Sequence, residues 1–146
     1  MKPAIFAIVL IPLLDCTANA NCLQVDIAGT WLAEGIIASQ VLGPRSAQCS
    51  VRMDSRGVFD PTRSTCTVVD YDHSGGTTNV AAKVAGQLAL DGAIACTYSG
   101  VVSNSHDTNM KAISIALSAD KGTLSGTGYV LGRKRRISAA FSAEKR

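Results

Sequence analysis

Histidine, aromatic side chains and helical periodicity are all scarce in this chain, and each scarcity closes off a class of function. Of 146 residues, two are histidine, three are tyrosine, three are phenylalanine and one is tryptophan. His73 follows Asp70 and Asp72 in one polar stretch, and His106 sits with Ser103, Ser105 and Asp107 in another. Neighbours in sequence do not make a catalytic triad, which needs residues brought together in space. There is no paired-carboxylate spacing, no glycine-rich phosphate loop and no helical metal motif. The cysteines stand singly, without a C-x-x-C pair, which argues against a thioredoxin-type redox site and against zinc. Few aromatics means few platforms for stacking bases. We therefore expect no enzymatic activity, no cofactor, no metal and no nucleic-acid partner.

Long apolar runs are also missing, except at the start. Lys2 followed by the apolar stretch Pro3 to Leu14 and by Ala18-Asn19-Ala20 has the layout of a bacterial-type signal peptide with its small-x-small cleavage site. The run is too short for a stable bilayer anchor, so no integral membrane segment is expected. Leu13-Leu14-Asp15-Cys16 loosely resembles a lipobox, but Asp15 stands where a small residue is required. The expected organisation is a signal peptide over 1–20 and a single β domain over 21–146, periplasmic or secreted.

Export makes the remaining cysteines, Cys22, Cys49, Cys66 and Cys96, candidates for structural disulfides. Four thiols allow three connectivities. Cys49 and Cys66 lie symmetrically about a turn near Gly57-Val58, which favours Cys49–Cys66 and leaves Cys22–Cys96.

What fills the domain is alternation. Cys49, Val51 and Met53 alternate with Ser50, Arg52 and Asp54, a period of two. Thr65 to Tyr71 is rich in β-branched residues. Val80 to Leu90, Lys111 to Leu117, Thr123 to Leu131 and Arg136 to Ala143 repeat the pattern between turn signals. Ile27 to Val41 predicts a first long strand, ended by Gly43-Pro44. Asp91-Gly92 predicts a tight hairpin with Ala93 to Val102 returning. In the first strand Glu34 falls on the face opposite Trp31. About eight hairpin-linked strands predict an all-β fold with two disulfides, either a small antiparallel up-and-down barrel or a sandwich.

Asp26-Ile27-Ala28-Gly29-Thr30-Trp31 resembles the Gly-x-Trp signature of calycin-like barrels, the group of lipocalins, avidin-like proteins and some exported protease inhibitors. The resemblance implies that Gly29 admits the chain to the first strand and that Trp31 plugs one end of a barrel. It also implies a late basic residue across the indole, a role that Arg136 is expected to fill by cation–π contact. Ser125-Gly126-Thr127-Gly128-Tyr129 is similar to a Ser-Gly-x-x-Tyr stretch of periplasmic lysozyme inhibitors. The tryptophan-rich strand that follows in those inhibitors is absent here. Two small glycines on a closely packed strand explain the same residues.

Charge is local. The net charge is +3, while residues 132–146 alone hold Arg133, Lys134, Arg135, Arg136, Lys145 and Arg146 against Glu144, so the body before them is slightly acidic. Arg133, Lys134 and Arg135 at a predicted hairpin tip form a candidate anion-binding site; charges there also keep an edge from pairing with other chains. The expected function is non-catalytic binding, of a small apolar ligand or of a macromolecule. Two alternatives are an inhibitor of a hydrolase or protease, and an envelope or host-interaction factor. The expected partners are an anionic envelope polymer or an exported protein.

Overall fold

The computed structural model describes residues 21–39, 43–71, 74–105, 109–131 and 136–146. A short 3-10 helix, Gln24–Ile27, is followed by eight strands: β1 (Gly29–Ser39), β2 (Gly43–Met53), β3 (Thr65–Tyr71), β4 (Thr77–Leu90), β5 (Thr97–Asn104), β6 (Asn109–Leu117), β7 (Thr123–Leu131) and β8 (Arg136–Lys145). Each strand pairs with the next, and β1 closes on β8, so the sheet is a barrel and not a sandwich.

The alternation in the sequence decides which residues face the lumen. In β1, Trp31, Ala33, Gly35 and Ile37 turn inward, while Leu32, Glu34 and Ile36 are exposed. In β2 the inward set continues through Ala47, Cys49, Val51 and Met53, and in β8 it is Ile137, Ala139, Phe141 and Ala143. The closely packed core lies at one end, around Ile27, Trp31, Met53, Phe59, Leu88, Tyr98, Ile115, Leu117 and Leu124.

The two disulfides are Cys22–Cys96 and Cys49–Cys66. Cys49 and Cys66 are direct cross-strand partners in the β2–β3 ladder.

Three local expectations are corrected. Ile27 is not in the first strand: it ends the 3-10 helix and is fully buried, and β1 begins at Gly29 with φ +133°, a conformation that glycine tolerates. Gly43-Pro44 does not end a strand but opens β2. The return strand after Asp91-Gly92 begins at Thr97, not Ala93. Asp91 Oδ1 accepts the Ala93 N–H at 2.7 Å, and Cys96, tied to Cys22, takes φ +56°. That left-handed backbone cannot continue a ladder.

Candidate functional site

At one end of the barrel the N-terminal segment lies across the opening and is fastened by side chains. The Trp31 Nε1–H donates to Ile27 O at 2.8 Å, and the Tyr98 hydroxyl donates to Leu23 O at 2.7 Å. Gln24 spans to β4, donating to Leu88 O and accepting from the Leu90 N–H. Cys22–Cys96 fixes the segment covalently. Asp26 is the electrostatic centre: its Oδ2 accepts the Leu23 N–H at 2.7 Å and pairs with Lys121 Nζ at 2.8 Å. The Leu23 N–H first, and Lys121 second, hold its carboxyl below the usual aspartate value of 3.8. Burial, and then the Asp26 charge, push the Tyr98 hydroxyl above its usual 10.0.

Trp31 is 1% exposed. The cation across its ring is not Arg136. Lys145 Nζ lies 5.3 Å from the ring centroid. The register explains this: Trp31 pairs with Lys145, whereas Ser39 pairs with Ile137, so Arg136 opens β8 at the far end of the barrel.

Between the plug and that far end lies a cavity of about 330 Å³. It exists because the inward positions of the wall are small: Ala33, Gly35, Ala47, Ala82, Ala139 and Ala143. An eight-stranded barrel is just wide enough to be filled by its own side chains or to hold one small ligand. Here alanine and glycine leave the space. Phe141 adds an aromatic ring to the lumen wall. It sits between Gly35 on β1 and Gly126 on β7, each its direct cross-strand partner. A Cβ on Gly126 would stand 3.0 Å from Phe141 Cζ and 2.7 Å from Ser114 O, so the glycine is required by packing. The Cys49–Cys66 disulfide forms part of the wall, and Glu34, Ser103 and Asn104 also border the cavity.

The remaining expected residues lie elsewhere. Glu34 is exposed on the outer face, as parity requires. Arg133, Lys134, Arg135, His73, His106 and the 1–20 leader lie outside the described residues. Among the described residues no cluster of three metal-ligating side chains occurs, and no helix is long and apolar enough to cross a membrane.

No protein-family model matches the chain, and no curated protein matches it in sequence. Similarity appears among solved structures. One, described as the structure of EF1p2_mFAP2b bound to DFHBI, superposes with a TM-score of 0.55 at 8% identity, covering 83% of this chain and 94% of the other. Another, described as a de novo designed fluorescence-activating beta barrel, has a TM-score of 0.46 at 13% identity and covers 82% and 93% of the two chains. At these identities the likeness concerns the fold.

Proposed function

We propose that this protein is a non-catalytic binder that holds a small, largely apolar ligand inside its barrel. The observation that carries the reading is the cavity of about 330 Å³, walled by alanine, glycine, valine and isoleucine and sealed at one end by a fastened plug. An apolar cavity of this kind gains free energy by burying apolar ligand surface, at about 25 cal/mol per Å². A barrel of similar fold is described as bound to DFHBI, a precedent for a small molecule on such a scaffold.

We read the barrel as calycin-like in its closed end: Gly29 opens β1, Trp31 plugs the lumen, and a late basic residue, Lys145, crosses the indole. We also infer that the protein works outside the cytoplasm, in the periplasm or beyond, because its leader fits export and its two disulfides suit an oxidising compartment.

The test is a fluorescence titration with N-phenyl-1-naphthylamine, an uncharged probe that brightens in apolar surroundings. The expected result is saturable binding at one probe per barrel. Unsaturable or absent enhancement would refute a lumen site.

A further inference from the structure

β4 runs past the wall of the barrel. Ala82 and Val84 are buried and line the lumen. At Val80 and Thr78 the same parity is exposed, and so is the other face at Thr77, Asn79 and Ala81. A strand exposed on both faces has no lumen behind it. Thr77 to Asn79 pairs with Val69 to Tyr71 of β3, so this stretch is a two-stranded ribbon that continues beyond the closed wall.

One edge of that ribbon is open. In an antiparallel ladder a residue sends its N–H and its C=O to the same side, and its neighbours send theirs to the other. Lys83 fixes the parity. Its N–H donates to Ser105 Oγ at 3.2 Å and its C=O accepts the Ser105 N–H at 2.9 Å, so both face the side of β5. The Val84 N–H donates to Ser64 O on the opposite side. Thr77 and Asn79 share the parity of Lys83 and turn their backbone groups toward the side of β5. The β4–β5 ladder, however, ends at Val84↔Asn104, and the chain is back at Asn109, paired with Ser103, after residues 105–108. That connection reaches at most about 7 Å along β4 beyond Val84, whereas Asn79 stands about 17 Å beyond it. Among the described residues no ladder joins Thr77 and Asn79 to any strand but β3.

Native proteins blunt such an edge with lysine, proline or a bulge. Thr77-Thr78-Asn79-Val80-Ala81 carries no charge and no proline, and its register against β3 is unbroken. We infer that this strip pairs antiparallel with the same strip of a second copy of the chain, giving a two-fold dimer. The strip itself selects this occupant. A two-fold axis brings identical strands together antiparallel, the arrangement of every ladder in the barrel. An axis near Asn79 sets the β-branched Thr77, Thr78 and Val80 of the two copies against one another and opposes no like charges. The inference is independent of what the lumen holds.

Sedimentation equilibrium of the purified protein is the experiment. So short an edge makes a small interface, and the expected result is a monomer–dimer equilibrium within roughly 5–500 μM. Asn79→Pro removes an edge donor that β3 does not use, so the thermal melt should stay close to the parent's while the dimer weakens at least ten-fold. Asn79→Lys leaves the backbone alone and sets like charges beside the axis. It should weaken the dimer at least ten-fold at low salt and recover most of it at about 1 M salt, where the Debye length is about 3 Å. Val101→Ser, at an exposed apolar position on β5, should dimerise like the parent. A parent that stays monomeric throughout the range would overturn the inference, even if the edge binds a strand of another protein. Dimerisation undiminished in both Asn79 variants, or a loss confined to Val101→Ser, would overturn it too. If Asn79→Pro does not fold, Asn79→Lys and its response to salt decide.

Discussion

Lys145 Nζ lies 5.3 Å from the centre of the Trp31 ring and donates to Asp26 O at 3.0 Å, joining the last strand, the plug and the N-terminal turn in one contact. Replacing Lys145 with Met removes a cation–π contact and a hydrogen bond together, and should cost about 1–2 kcal/mol in urea unfolding. A loss near zero would contradict that contact.

The disulfides should differ in what they hold. In the chain-entropy model, removing Cys22–Cys96 (Cys→Ser at both positions) costs about 4.5 kcal/mol and removing Cys49–Cys66 about 3 kcal/mol. Denaturant unfolding of the two double variants measures this. Cys49–Cys66 staples the short β2–β3 ladder, so its loss should also weaken probe binding. Loss of Cys22–Cys96 should instead loosen the plug and raise hydrogen exchange at Leu23 to Ile27.

Acid stability should fall on the Asp26 carboxyl. Its folded value lies below the unfolded one near 3.8, so ionisation stabilises the fold above that pH. The stabilisation is lost as pH drops from about 3.8 through the folded value. Asp54, Asp60 and Asp120 are shifted the same way by local donors. Asp26→Asn should therefore flatten part of the acid limb of a stability–pH curve. An unchanged limb would contradict its role in the plug. Tyr98 acts at the other extreme: its raised value means stability is lost as pH climbs above about 10.0 through the folded value.

Gly126 tests the packing of the lumen wall. A Cβ there meets Ser114 O at 2.7 Å and Ile115 Cγ1 at 2.9 Å, and the first of these is backbone that cannot step aside. Gly126→Ala should cost about 1–3 kcal/mol by overpacking. At Gly92 nothing lies within 4 Å of the added methyl, so Gly92→Ala should change stability very little. Thermal melts of both variants decide between them.

Strand content, the antiparallel hairpin order and the Cys49–Cys66 pairing were legible because each rests on alternation or on symmetry about a turn. What hid was register. Nothing local in the sequence says that Trp31 meets Lys145 and not Arg136; closure of β1 on β8 decides it. Ala93 to Cys96 reads as strand because it is apolar, but the bond from Cys96 to Cys22 bends it away. That Ala33, Gly35, Ala47, Ala82, Ala139 and Ala143 converge on one lumen needed the closed sheet.

Ala139 and Ala140 offer the most direct test of a ligand in the lumen. They are neighbours on β8 and both border the cavity, but Ala139 is buried while Ala140 is exposed, with the opposite parity. N-phenyl-1-naphthylamine should be titrated into the parent, Ala139→Leu and Ala140→Leu under the same conditions. Filling the cavity with the Ala139→Leu side chain should weaken binding at least ten-fold, while Ala140→Leu should bind like the parent. Equal binding by all three, or a loss confined to Ala140→Leu, would put the site outside the barrel and contradict this account.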